Sequence, residues 1–524
     1  MDQHHRSMHS HDSVSLPLRP NQVRAATLHG MANENGSNSV ASVLIRGDRA
    51  PLVMARSDLA RQTRMALGLP LDRAIVMSGH QAEIWHCGIL AKWFATQSLA
   101  QSQQAHAAWI VVDHDTNDPT LIHYPSKSST ITVDAATPSR AVWRWAETGP
   151  SAASNDGAHV PTSSRAPTYV AEPPDKSVCW SSELSNRLGR LVAALVASRD
   201  GSTSLAEQVT RAMTTLLAPT HGLPAPSTLF ASQLSRTPIF QSLLRAMLAD
   251  PVACVEAYNM AATSVPDGGI RPLRLDSHVE LPLWSIARSR KPVLLDRSLD
   301  LSQDISSTTN SLNDHAALAP RALLMTAALR LGTCDLFIHG LGGGLYDQVT
   351  DAWINTWLER VADPALRELR DARRSATGSY MAPTLVVSAT ARLDFGTVQV
   401  PAPEILDRAI WKAHHARHEP SLLDGAIGSG RKRELVDAIA QAKASGDRDG
   451  ALATYRGLHA MLDAQRASHQ TSLAAFDSAA SSARAARGLS SVVHDRTWAF
   501  PLHSQETLIA LRDTVAKSLH EGPL

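Results

Sequence analysis

The chain is short of cysteine, of aromatic residues and of net charge. Its four cysteines, Cys87, Cys179, Cys254 and Cys334, lie far apart in 524 residues and form no CxxC unit. That spacing speaks against a disulfide scaffold or a structural zinc site and suits a reducing compartment. Fifty basic against forty-nine acidic side chains leave a formal charge of +1. So balanced a chain has no global field for a polyanion, and nucleic acid is not an expected partner. No run of about 18 apolar residues offers a membrane span, so a membrane is not an expected partner either. The polar start, with His4, His5, His9 and His11, has no apolar stretch behind a basic segment. It reads as a loose terminus rather than a signal or a metal site, and the cytoplasm is the expected location.

Core-forming material is present, at 44% hydrophobic residues. Single cores stop growing near about 250–300 residues, so a chain this long predicts more than one folding unit. Residues 1–40 read as a leader. The run LDRAIVMSG at 71–79, a helix-length segment from His80 to Gln104, and AWIVVDHD at 108–115 form a strand, helix, strand succession. This is the sequence form of a parallel βαβ unit, and 41–133 is read as the first part of an α/β core. A Ser/Ala/Pro-rich stretch at 134–177 reads as a flexible insertion.

Residues 178–370 read as a helical connecting region and the rest of the core. There 183–217 and 238–248 are helical, while PVLLD at 292–296 and CDLFIHG at 334–340 are buried strands. Residues 371–402 read as a linker. In 403–490 the pattern predicts an antiparallel helical hairpin: one helix at 431–445, a turn at 445–450, and a long helix at 451–485. Leu458, Met461, Leu462, Leu473 and Phe476 stripe the second helix. Residues 491–524 read as a segment returning to the core.

Ligands of an open parallel sheet bind outside the carboxyl ends of its strands, so the residues following each strand are the candidates. After the first strand come Ser78, Gly79, His80 and Gln81, then His86, Gly88 and Lys92. The glycines allow a tight turn and close approach of a ligand to the backbone, and Lys92 reaches an anionic group from the helix. His86-Cys87-Gly88 resembles the His-x-Gly signature of nucleotidylyl-transferring α/β folds. After the second strand, Asp113, His114, Asp115 and Asp118 crowd together. Charge is costly in a core and useful in a crevice. The first three are read as the catalytic group, exchanging protons or, with His114 and Asp115 as candidate ligands, holding a divalent metal. In IHGLGGGLYD, Gly340, Gly342, Gly343 and Gly344 are read as a concave anion-binding turn, with Tyr346 and Asp347 orienting substrate. In DSHVELPLW, His278 and Glu280 are weaker additions to the same pocket.

Three of these segments resemble the bacillithiol-synthesis cysteine-adding enzyme family, usually called cysteine ligases. The family's Thr-Gly-Gln-Gln turn, glycine-containing helix and lysine correspond to SGHQAEIWHCGILAK, through Gly79, His80, Gln81, Gly88 and Lys92. Its acidic-His-Asp strand end corresponds to Asp113, His114 and Asp115. Its Gly-Pro-Gly-Glu turn with a following tyrosine corresponds to Gly340, Gly342 and Tyr346. Two departures are visible: His80 stands where the family has its first Gln, and GLGGG lacks the Glu. The resemblance implies a Rossmann-like core, a long helical hairpin used in a homodimer, and a ligase or transferase forming a C–N bond. The bond would join a small amino or thiol metabolite to a sugar-like or carboxylate acceptor. A metal-assisted hydrolase or deacetylase of a small polar metabolite, and a non-catalytic dimeric ligand-binding protein, are the alternatives. Nucleotide and divalent metal both stay open as cofactors.

Overall fold

A strand covered on both faces needs apolar side chains in succession rather than in alternation. In the computed structural model the run Ile75, Val76, Met77 and Ser78 is wholly buried, as such a strand requires. The structure describes residues 40–47, 52, 54, 57–127, 137–146, 160–220, 222–286, 290–296, 318–374, 378–396, 398–424 and 426–520. The His-rich start and parts of the 134–177 insertion lie outside the described residues.

The chain is a mixed α/β protein with a mainly parallel central sheet and many helices. In chain order its strands are β1 (Val40–Gly47), β2 (Ile75–Gln81), β3 (His106–Val112), β4 (Leu121–Lys127), β5 (Pro138–Arg144) and β6 (Ser227–Phe230). They continue as β7 (His278–Ser285), β8 (Lys291–Asp296), β9 (Leu318–Pro320), β10 (Leu336–His339) and β11 (Thr384–Ala391). The central sheet runs β1-β11-β10-β2-β3-β6, with every neighbour parallel except the edge strand β1. β4 with β5, and β8-β7-β9, form two small antiparallel sheets beside it.

Helix Cys87–Ser102 links β2 to β3 and is buried from Cys87 to Ala100. Being covered by the sheet on one side and by helix Gln505–His520 on the other, it is buried all round, with Lys92, Thr96, Gln97 and Ser98 among its buried residues. Trp85, Trp93 and Trp109 pack there with ring centroids 4.7–5.7 Å apart. A second apolar cluster joins the helices between Pro238 and Leu358 to the small sheet β8-β7-β9 and includes Tyr258, Trp353 and Trp357. At the amino ends of β2 and β10, Asp335 accepts from Arg64 at 2.6 Å and from the Ile75 N–H at 2.9 Å, with Arg373 3.3 Å away. Buried ion pairs thus close that edge of the sheet.

Several expectations are corrected. β2 continues through His80 and Gln81, which pair with Val111 and Val112, so the helix begins at Cys87 rather than His80. The helical pattern at 183–217 is two helices, Ser182–Arg199 and Leu205–Leu217, separated by a break at 200–204. PVLLD does form a strand, β8, but in the small sheet and not the central one. The stretch 371–402, read as a linker, contains β11, an interior strand between β1 and β10. The long helix expected at 451–485 is two helices, Arg448–Ser468 and Gln470–Val493, interrupted at His469. Arg448–Ser468 packs on helix Ala426–Ala444, whereas Gln470–Val493 lies along helix Pro403–His415. Among the described residues no helix is long and apolar enough to cross a membrane.

Candidate functional site

The parallel strands β2, β3 and β10 deliver Gly79-His80-Gln81, Asp113-His114-Asp115 and His339-Gly340 to one edge of the sheet. Gly79 is required there: a Cβ would stand 2.3 Å from the Ile110 carbonyl oxygen. From the following helix, Lys92 runs back to this edge and donates from Nζ to Gly79 O at 2.6 Å. Its ammonium also lies 5.5 Å from the centre of the Trp109 ring. Lys92 is 5% exposed and has no carboxylate ion partner among the described residues. Burial lowers its amine to about 7, with Glu83 opposing the fall.

Glu83, in the loop between β2 and its helix, is the counterpart. Burial, with the Asp115 carboxylate second, raises Glu83 to about 7 against the pull of Lys92. His80 Nδ1 is 3.2 Å from Glu83 Oε1 without hydrogen-bond alignment. Burial, then the charges of Lys92 and His86, hold His80 well below its ordinary range and therefore neutral. Asp115 accepts from Thr116 N–H at 2.8 Å and from Gln81 Nε2 at 3.4 Å, and is ion-paired with Arg290. Arg290 also lies over the Trp284 ring, 4.8 Å from its centre, with Arg321 at 4.1 Å from the same centre. The small sheet β8-β7-β9 thus leans against this edge.

Helix Leu341–Trp357 starts at the end of β10. Gly340 is its N-cap and makes no side-chain cap, leaving the first N–H groups without the usual partner. The helix dipole places partial positive charge there. A Cβ on Gly340 would lie 3.8 Å from Lys92 Cδ, so this N-terminus and the lysine are neighbours.

Gly79, His80, Gln81, Lys92, Asp115 and Gly340 are therefore brought together, and the other candidates take different roles. The Asp113 carboxylate accepts the Ser232 N–H at 2.8 Å and Oγ at 2.6 Å, tying β3 to the segment after β6. Burial raises its pKa, with Ser232 opposing. His114, 4% exposed, leaves Nδ1 without a hydrogen bond; burial pushes it to about 4, so it is neutral. Ser78 donates to Ile338 O at 2.7 Å inside the sheet. Asp118 pairs with Arg144 at 2.7 Å near β4 and β5.

The expected turn at Gly342–Gly344 is instead the first turn of a helix, and its glycines answer to packing. A Cβ on Gly343 would be 2.7 Å from His339 Nδ1, and one on Gly344 2.3 Å from Val386 Cγ2; Gly342 alone faces open space. Gly88 likewise lets its helix approach β11, since a Cβ would come 3.0 Å from Ala389 O. His86 caps that helix, accepting the Gly88 N–H at 3.0 Å, and burial drives it to about 4. Cys87 is buried and its thiol is pushed up to about 12. Asp347 is buried between Arg330 at 2.7 Å and His339 at 2.9 Å, a structural clamp. Burial raises Tyr346 to about 12 and its ring packs edge-on to His339. Glu280 pairs with Arg271 and Arg321, at 2.9 and 2.8 Å.

No protein-family model matches this chain, and no curated protein matches it. Among the described residues no group of three or more His, Cys, Asp or Glu is arranged to hold a metal ion. Sequence reasoning missed Glu83 and Arg290. Glu83 was visible as the single acid between the end of β2 and its helix. Arg290 had no local signal, because its partner is 175 positions away.

Proposed function

We propose that the chain is a divergent cysteine-ligase-like enzyme with a Rossmann-like core. In this reading it forms a C–N bond between a small amino or thiol metabolite and a sugar-like or carboxylate acceptor. The observation that carries this reading is the convergence of Gly79, Gln81, Lys92, Asp115 and the uncapped helix N-terminus at Gly340 on one rim of the sheet, with the Glu83 carboxyl raised by burial to about 7. A carboxyl near neutrality accepts a proton from an attacking ammonium and can return one to a departing oxygen. Anionic oxygens of the acceptor fit the uncapped N-terminus at Gly340 and the Arg290 guanidinium. In the bond-forming step the amine lone pair attacks an activated acyl carbon. The leaving group, a phosphate or nucleotide, departs with its bonding pair, and the surplus amine proton passes to Glu83. This transfers the base role to Glu83 from Asp113, whose carboxylate is held by Ser232, and from His114, whose ring is buried and neutral, with Asp115 tuning it.

The test is incubation with cysteine or another amino acid, an amino-sugar or hydroxycarboxylate acceptor, nucleoside triphosphate and Mg²⁺, with products read by mass spectrometry. A condensation product that disappears in Glu83→Gln, with thermal unfolding unchanged, supports the reading. Full turnover in that variant rejects it. Homodimer formation through the helices of residues 426–493, arranged as a helical hairpin arm, belongs to the same proposal. It is supported by exposed Val436, Leu452 and Tyr455 on those helices. Light scattering should give twice the chain mass, falling to one chain mass in Val436→Glu/Tyr455→Glu.

A further inference from the structure

Lys92 is an unusual amine by its surroundings alone. Its stem is buried against Trp109 and Gly340, and its nitrogen has one hydrogen bond, to a backbone carbonyl. Lysines kept for charge are ordinarily solvated or set against a carboxylate. This one has neither among the described residues, yet Gly79 at its nitrogen, Gly340 beside its stem, and the His80 and Glu83 whose charges couple to its own are all partly exposed. The amine therefore lies just beneath the rim, within reach of a small molecule seated there. Gly340 contributes no side chain beside the lysine stem, where a Cβ would stand 3.8 Å from Lys92 Cδ.

We propose that Lys92 is a nucleophile that forms an imine with a small aldehyde or ketone, such as an oxo acid or an open-chain sugar. The inference deepens the proposed function by naming a carbonyl-bearing substrate for the same rim, and it rests on that rim being the substrate site. Nζ, as the free amine, adds to the carbonyl carbon, and the C=O pair becomes the hydroxyl of a carbinolamine. Glu83, as the carboxylic acid, donates its proton to that hydroxyl, which leaves as water while the nitrogen lone pair closes the C=N bond. The products are a protonated imine on Lys92, the Glu83 carboxylate beside it, and one water. No oxidant or reductant is consumed. The bond to Gly79 O orients the nitrogen, and the aromatic wall keeps its charged form poorly solvated. Both neighbouring groups sit near neutrality, which matches the proton demands of dehydration.

The experiment is reductive trapping on the full chain at about pH 7.5, with glyoxylate, pyruvate or glyceraldehyde and sodium borohydride, followed by peptide mapping. Solvated lysines, with pKa near 10.4, hold roughly one amine in a thousand unprotonated at that pH. Labelling is therefore expected at Lys92 at least about tenfold above any other lysine, with none at position 92 in Lys92→Arg and slower trapping in Glu83→Gln. Mapping of the unaltered protein gives the answer even if a variant fails to fold. Label spread over solvent-facing lysines with none at Lys92 overturns the inference. A Lys92 adduct without any condensation product in the ligase assay upholds the imine and rejects the ligation reading. A condensation product with no adduct does the reverse.

Discussion

Replacing Lys92 by methionine removes a charge from the interior while nearly conserving volume. Burial lowers the Lys92 amine from 10.5 to about 7. A fall of about 3.5 corresponds to roughly 5 kcal/mol by which folding disfavours the ammonium. Because the folded value lies below the unfolded one, the folded chain binds fewer protons between about pH 7 and 10.5. Stability from this group therefore rises with pH across that window; the cost is fully present below about pH 7 and gone above about 10.5. Against it, methionine gives up the bond to Gly79 O and the contact with the Trp109 ring, together about 2–3 kcal/mol. Lys92→Met should thus be more stable than the parent by about 2–3 kcal/mol near pH 6. The advantage should shrink by about 1.4 kcal/mol per pH step above 7 and reverse before about pH 10. Urea unfolding of both proteins across that range, followed by tryptophan fluorescence, measures it; the difference cancels the titrating groups that do not couple to Lys92, and Glu83→Gln in both backgrounds removes the largest that does. A difference that stays flat with pH, or a variant less stable at every pH, would refute the reasoning and show that burial does not disfavour the Lys92 ammonium.

Asp113→Ala should cost about 2–4 kcal/mol, because two bonds to a buried carboxylate are lost and the Ser232 donors are stranded. Asp113→Asn should cost less, and urea midpoints rank the two. Asp115→Asn should lower the Glu83 pKa, since the Asp115 charge helps to raise it. Arg290→Ala should raise it further by leaving that charge unpaired, and carboxyl NMR titration with Glu83→Gln for assignment reads both directions. Gly344→Ala should destabilise by about 1–3 kcal/mol through its clash with Val386, while Gly342→Ala should be neutral or stabilising by up to about 1 kcal/mol. Thermal unfolding distinguishes them, and equal effects would contradict the packing role given to Gly344.

Local pattern alone was enough for the βαβ unit of β2, helix Cys87–Ser102 and β3, and for the strand β10. Unbroken apolar runs bounded by glycine and charge are what a strand covered on both faces demands. The same logic put Gly79, His80, Gln81, Asp115 and Gly340 at strand ends, where a parallel sheet opens, and Lys92 on the helix that follows the first of them. Tertiary structure decided what each of these groups does. GLGGG reads equally as a loop or a helix start by composition, and only the approach of Val386 and His339 shows why glycine stands there. Asp113 and Asp115 are two positions apart and look alike as letters, but one is claimed by Ser232 and the other by Arg290, both distant in the chain. Glu83 and Lys92 draw their proton affinities from burial, which no neighbour in sequence reports. Desolvation depends on what the whole fold packs around a group, and that is the information a linear chain carries only once it has folded.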